Sequence, residues 1–522
     1  MKIRQLGLAV SGFTTAARAT CDYKPQVDDL ALQESIKLEN LLPRSQKLQD
    51  FAYATEARNR VAGSPGHVAT VDYIISELEA TGAYDIERQP FTTTIQEEGS
   101  YRITVDNVEW NAGELQFSAS GDVTAPLVVV SNLGCTPEDY PAAVAGNIAL
   151  ISRGTCEFGL KSSLAGAAGA IGALIYDNVP GDAPLSGTLG SAPRPTGPYV
   201  PTVGTSNNNG TALVQVINSG TEVIAHLDVE TTITDVTSDN VLATTKCGNK
   251  DSVLMFGAHT DSVPPGPGIN DDGSGTVALI EVAKQLAAYQ TTNAIRFGFW
   301  SAEEVGLVGS TYYVEHLSAD ALAQIRAYLN FDMIASPNFI HGIYDGDGSA
   351  FNLTGPRGSA ELEHFLETYF TPYNSVPTEF SGRSDYAAFI DFGVPSGGTF
   401  TGAEQLKTEA EVALFGGVAG APYDANYHQA GDTIDNLNTE AFIIHARAIA
   451  HAAAVFGESF DMLPPKEPAS VTRFKRDLRR RRNEDQMRGV KWSHDHRREV
   501  GDGVGHTHAG CLAGKMVAGM KS

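Results

Sequence analysis

Three apolar runs in this chain each lead straight into residues of the kind that bind metals. Ser252 to Phe256, Ser-Val-Leu-Met-Phe, has the unbroken apolar character of a strand buried in a parallel sheet, and it leads into His259-Thr260-Asp261. Ala294 to Trp300 leads into Ser301-Ala302-Glu303-Glu304, and Ala327 to Phe331 leads into Asp332. After the first run, a Pro/Gly-rich loop carries Asn270-Asp271-Asp272-Gly273-Ser274-Gly275. Val277, Ile280, Ala283, Leu286 and Ala287 then follow at helical spacing. Much later, Tyr427-His428-Gln429 precedes Gly431-Asp432-Thr433. Open α/β sheets place ligands beyond the carboxyl ends of their strands, so this order predicts one site. Imidazole and carboxylate suit Zn²⁺, and a carboxylate has two oxygens with which to bridge two ions. A single His-x-Asp is a weak signal, because a loop histidine bonded to a neighbouring carboxylate explains it better than a metal does. Three strand ends in order, each with ligand-type residues, are hard to explain as solvated charge.

The ordered set resembles the M28 zinc aminopeptidases, in particular fungal members of the aminopeptidase Y and leucine aminopeptidase 2 type. It comprises His259-Thr-Asp261, Asn270-Asp271-Asp272-Gly-Ser-Gly, Glu303-Glu304-x-Gly306, Asn330-Phe331-Asp332-Met333 and Tyr427-His428. The likeness spans residues 35 to 465. It implies an α/β fold, an α/β/α sandwich around a mixed central sheet, with an inserted, mostly-β protease-associated (PA) domain. It implies two Zn²⁺ per chain, one held by His259 and Asp332, the other by Glu304 and His428, with Asp271 between them. It implies Glu303 as general base, Asp261 as the group that orients His259, and Tyr427 as a stabiliser of the oxyanion. Thr378 to Tyr386 resembles a substrate-side loop in which Arg383 meets the substrate backbone or a product carboxylate. A surface ion pair is the plainer reading of Arg383. The implied substrates are peptide and protein amino termini, with Leu or other apolar first residues preferred. Some relatives flank the last histidine with a cysteine pair, Cys-Tyr-His-x-x-Cys; Asn426 and Gly431 stand there in this chain.

The implied domains are a catalytic first part over 36–117, the PA insertion over 118–235 and a catalytic second part over 236–463. Helical patterns occupy Leu48 to Ala52 and His67 to Thr81; His67 reads as structural, because the later residues already complete the metal set. In the insertion, Ala125–Val130, Asn147–Ile151 and Ala173–Tyr176 read as strands, and an Ala/Gly helix runs from Ser162 to Gly169. The resemblance implies a Cys135–Cys156 disulfide there. A helix from Thr439 to Phe456 closes the catalytic part.

Residues 473–522 carry 13 Lys and Arg against 6 Asp and Glu, although the whole chain has a net charge of −25. The body is therefore acidic, which argues against nucleic-acid binding, and the tail over 464–522 is basic with the composition of a disordered segment. The amino terminus has the basic, apolar, small order of a signal peptide over 1–20, and no run of 18 apolar residues suggests a membrane span. The expected location is extracellular, with the vacuole as the alternative, and the expected state is a monomer. Asn209-Gly-Thr and Asn352-Leu-Thr would accept N-glycans on that route. The cysteines number 5, which leaves one over unless the ends are trimmed. Three other readings stay open: a single-zinc glutaminyl cyclase, a glutamate-carboxypeptidase-like enzyme, and a non-catalytic protein of the transferrin-receptor branch. The complete ligand set and the short segment after His428 weigh against them.

Overall fold

The computed structural model describes residues 21 and 23–465, apart from 155, 179, 192 and 193. The expected signal peptide, Cys511 and nearly all of the basic tail lie outside the described residues.

The main strands are β1 (Tyr84–Val105), β2 (Gly121–Val129), β3 (Ile148–Ser152), β4 (Gly172–Tyr176), β5 (Thr202–Thr205), β6 (Ile224–Thr245), β7 (Asn249–His259), β8 (Asn293–Trp300), β9 (Ile325–Phe331), β10 (Gly342–Tyr344), β11 (Val376–Thr378) and β12 (Ser396–Phe400). The catalytic sheet has the order β11-β10-β12-β9-β7-β8-β6. β7 lies parallel to both β8 and β9, and β9 is parallel to β12, whereas β6 joins β8 antiparallel. The sheet is therefore mixed, with its parallel strands at the centre.

Alternation along β7 explains its continuous apolar sequence. Leu254, Phe256 and Ala258 enter one core, while Met255 enters another on the opposite face. The first core packs the sheet against α1 (Leu38–Tyr53), α2 (Pro65–Glu79), α3 (Gly273–Leu286) and α6 (Thr439–Glu458). The second packs Trp300 and Tyr328 against α4 (Val308–His316) and α5 (Tyr386–Asp391). Strands buried on both faces carry no polar alternation, and the result is the α/β/α sandwich. Local signals set the helix starts. Ser64 caps α2 with Pro65 at its first position, and Asp272 caps α3 by accepting the Gly275 N–H.

β1 and β6 pair antiparallel along their whole length, from Tyr84 opposite Thr245 to Val105 opposite Ala225. One end of this ribbon joins the catalytic sheet, where Val241 to Thr244 pair with β8. The other joins the PA sheet, where Ile224 to Val229 pair with β2, followed by parallel β3, β4 and β5. Helices Phe158–Ala167 and Asn207–Asn218 accompany these strands. The expected boundary at 235 thus falls inside β6, opposite Thr94, and not in a linker. The Cys135–Cys156 disulfide is present. A second disulfide, Cys21–Cys247, was not expected from the sequence.

Behind the catalytic sheet, His341 Nδ1 and His445 Nε2 share a hydrogen bond of 2.8 Å, and His445 Nδ1 reaches Thr399 Oγ1 at 2.7 Å. Phe339, Phe370 and Phe415 surround His341, and Lys407 adds its positive charge. Burial and then Lys407 push His341 down to about 4, and burial and then His341 hold His445 well below the ordinary range. An unfolded imidazole protonates near pH ~6.5, so the unfolded chain binds more protons from there down to the folded value. Stability is therefore lost as pH falls from ~6.5 through that window, by roughly 3 kcal/mol at most for His341. The drop in denaturant midpoint between neutral pH and the lower end of the window should be smaller in His341→Gln than in the parent chain. An equal drop in both would show that the pair does not titrate in this way.

Candidate metal centre

His259 is the last residue of β7, Glu303 and Glu304 follow β8, and Asp332 follows β9. Because these strands are parallel neighbours, their carboxyl ends sit side by side. Asp271 and Asp272 lie on the loop that enters α3. Gly275 lets that helix start close to β9: a Cβ there would stand 1.8 Å from the Phe331 carbonyl oxygen.

The five residues expected as ligands come together. Asp271 Oδ1 is 3.1 Å from His259 Nε2, and Asp271 Oδ2 is 3.1 Å from His428 Nε2. Each oxygen of one carboxylate thus faces a different imidazole. His259 Nε2 also lies 3.6 Å from Asp332 Oδ1, and His428 Nε2 lies 3.2 Å from Glu304 Oε2. Glu303 Oε2 stands 3.9 Å from His259 Nε2.

A ring of partners orients this set. Asp261 Oδ1 and Oδ2 accept the backbone N–H groups of Glu303 and Glu304 at 3.1 and 3.3 Å, and Oδ1 lies 3.6 Å from His259 Nδ1. Ser384 donates to Asp332 Oδ2 at 2.6 Å. Asp272 Oδ2 accepts the His259 N–H at 2.9 Å, while its Oδ1 accepts from Gly275 at 2.9 Å and Met333 at 3.3 Å. Buried Arg60 donates to the carbonyls of Thr260, Pro267 and Gly268. Ala302, Met333 and His428 hold left-handed φ angles of 59°, 52° and 57°. Such angles cost a non-glycine residue about 1–3 kcal/mol each and cluster at functional sites.

Ser384, Asp272 and Arg60 were not assigned a role from the sequence. Asp272 belongs to the Asn270-Asp271-Asp272 motif, but nothing in Asn-Asp-Asp says which carboxylate turns toward the cavity. His67 is structural, as expected, with Nε2 2.8 Å from Thr260 Oγ1. Tyr427 stacks on His428 with ring centroids 3.8 Å apart. Arg383 forms a two-pronged pair with Glu404, at 3.0 and 3.2 Å. The Asn426 side chain fills the space beside Gly431; a Cβ on Gly431 would be 2.1 Å from Asn426 Oδ1. Asn426 in turn donates to Asn436 Oδ1 at 2.6 Å.

The electrostatics favour a bound cation. Burial raises Glu303 well above the usual carboxylate range and Glu304 to about 7. Against burial, Glu304 and Asp271 lift His428 to about 10, and Glu303 and Asp332 lift His259 well above its ordinary value. Asp332 Oδ1, buried and facing His259, has no hydrogen-bond partner. Ligand atoms of His259, Asp271 and Glu304 lie within 4.8 Å of one another, as do those of His259, Asp272 and Asp332. An oxygen-rich, imidazole-containing pocket with an orphaned carboxylate oxygen fits zinc. Ser384→Ala should weaken zinc binding by roughly tenfold, the lower end of what loss of a ligand's hydrogen-bond partner costs. Competition with a chromophoric chelator would read this, and unchanged affinity would deny Ser384 that role.

Residues 240–453 match the model of peptidase family M28, and residues 123–213 match the PA domain. The chain is 51% identical over 458 residues to a probable leucine aminopeptidase 2 of Aspergillus fumigatus, covering 87% of this chain and 90% of that one. It is 46% identical over 472 residues to leucine aminopeptidase 2 of Arthroderma otae, covering 89% and 94%. Among solved structures, an aminopeptidase from Aneurinibacillus sp. strain AM-1 aligns with a TM-score of 0.68 and 28% identity, over 84% of this chain and 99% of that chain. A zinc aminopeptidase from Bacillus subtilis aligns at 0.57 and 25%, over 82% and 99%. With its ligand-type residues gathered on the strand ends and relatives matched over nearly their whole length, this chain belongs to peptidase family M28 and carries a PA domain.

Proposed function

We propose that this chain is a metallo-aminopeptidase that hydrolyses the first peptide bond of peptides and proteins with two zinc ions. The observation that carries this reading is the Asp271 carboxylate, whose oxygens each face a different histidine at 3.1 Å. His259 and Asp332 would hold one ion, Glu304 and His428 the other, and Asp271 both. Zinc, when bound, would supply Lewis acidity that polarises the scissile carbonyl and lowers the pKa of the attacking water, so that it gives up a proton readily.

The protein's own groups do the rest. Glu303 takes the proton of the attacking water and passes it to the leaving amine. Asp261 fixes the Glu303 and Glu304 backbones and orients His259. Burial keeps the Tyr427 phenol protonated, so it serves as a donor to the developing oxyanion. Arg383, oriented by Glu404, meets the substrate backbone or product carboxylate. The substrate's α-ammonium group is drawn to the carboxylates, which restricts cleavage to amino termini. A preference for Leu or another apolar first residue is supported by the names of the relatives.

The proposed organisation is a catalytic unit over 36–117 and 236–463, interrupted by the PA insertion, and the proposed state is a monomer. Two disulfides favour an oxidising compartment, here the cell exterior with the vacuole as alternative. No helix among the described residues is long and apolar enough to cross a membrane. Asn352 is exposed at a turn, whereas Asn209 is half-buried in the first turn of its helix and reaches Thr205 Oγ1 at 3.3 Å. On a secretory route Asn352 is therefore the better glycan acceptor, and Asn352→Gln should remove the larger share of glycan mass. A larger loss from Asn209→Gln would reverse that order.

The central test is hydrolysis of aminoacyl-p-nitroanilides and their N-acetylated forms, with zinc and then with chelator. Free-amine substrates alone should be cleaved, Leu among the best, and chelation should abolish the activity. Glu303→Gln should lower kcat by about 10²–10⁴-fold while zinc remains bound. Folded, zinc-loaded protein that cleaves none of the panel would sink the aminopeptidase reading.

A further inference from the structure

Asp432 stands four residues after His428 and is 2% exposed. Its Oδ1 accepts the Asn270 N–H at 2.8 Å, and its Oδ2 accepts the Asp271 N–H at 3.0 Å. Its own carbonyl accepts the Ile269 N–H at 3.1 Å. Asp432 therefore grips three consecutive residues, the last of which is the carboxylate shared between the histidines. That carboxylate in turn meets His428 at 3.1 Å. Two loops distant in sequence are thus closed on each other twice: amide to Asp432, and carboxylate to His428. No disulfide closes this stretch, since neither loop contains a cysteine. A carboxylate is the side chain suited to the grip, since it offers two acceptor oxygens and no donor to two parallel N–H groups.

We propose that Asp432 is a positioning residue whose carboxylate sets the spacing between Asp271 and His428, and so the geometry of the metal position that they share with Glu304. The inference rests on the hydrolytic reading above. Asp432 touches neither metal nor substrate; it acts through the backbone of Asp271. Asp432→Asn would turn an amide NH₂ against one of the two N–H groups and break the grip on one side.

The test uses the full chain carrying Asp432→Asn, with Asn426→Ala as the comparison, since Asn426 braces the same loop without touching Asp271. Zinc affinity is read by chelator competition, coordination by the visible absorption of the cobalt(II)-substituted protein, and turnover with an aminoacyl-p-nitroanilide. In Asp432→Asn, one zinc equivalent should bind about 10- to 100-fold more weakly. The cobalt band should shift, and kcat should fall with KM little changed. Asn426→Ala should keep parental zinc affinity and the parental cobalt band. Parental affinity and spectrum in folded Asp432→Asn would overturn the proposal, and so would equal losses in both variants, which would mark general loosening of the loop. If Asp432→Asn does not fold, Asp432→Glu moves both acceptors outward by one methylene and is read the same way. Zinc affinity is measured without hydrolysis. A parent chain that binds zinc and cleaves nothing therefore sinks the aminopeptidase reading while the Asp432 comparison still decides, whereas a parent that binds no zinc overturns both.

Discussion

Buried negative charge is the constraint on which this structure depends. Asp261, Asp271, Asp272, Glu303, Glu304 and Asp332 are each less than a tenth exposed. Carboxylates without water are stable only where donors or positive charge answer them. The chain supplies part of that answer itself. Asp272 receives three backbone N–H groups, Asp261 receives two, and Ser384 caps one oxygen of Asp332. Arg60, wholly buried among backbone carbonyls, lies in the field of Asp261, Asp432, Asp272 and Asp271. The histidines supply the remainder by holding protons more tightly than usual, which is the electrostatic imprint of a site suited to cations.

The sheet makes this concentration of charge possible. β7, β8 and β9 are parallel, so their carboxyl ends open on one edge, and the cores on both faces keep water from the strands. That feature was legible in the sequence for a plain reason. A strand buried on both faces must be apolar throughout, and the first polar residues after it mark where it leaves the sheet. The pairing of a strand end with a ligand-type residue therefore survived translation into three dimensions at His259, Glu303, Glu304 and Asp332. The Ala- and Ile-rich run of α6 was readable as a helix because it is long, apolar and free of Gly and Pro up to Phe456.

The residues that hold those groups in place were far less visible. Asp432 and Ser384 sit in polar loops, where Asp and Ser are ordinary turn residues and their partners lie 161 and 52 positions away. No local period encodes such a contact. Arg383 could be read as a substrate ligand or as half of an ion pair, and its Glu404 partner, 21 residues on, gives it the pair without removing it from the neighbourhood of Tyr427. The domain boundary was obscured for another reason. Composition locates a linker by its Gly, Pro and Ser, but in the structure the two units are joined by the long paired strands β1 and β6.

The Cys21–Cys247 bond has a topological consequence. Cys247 comes two residues after β6 returns to the catalytic sheet, so the bond closes a covalent ring over the first helices, the ribbon and the entire PA insertion. A single cut by a protease in any loop from 23 to 246 opens that ring without releasing a fragment, because the pieces stay tied through sulfur. In surroundings rich in endopeptidases, damage to the PA loops would leave the mass of the molecule almost unchanged until it met a reductant.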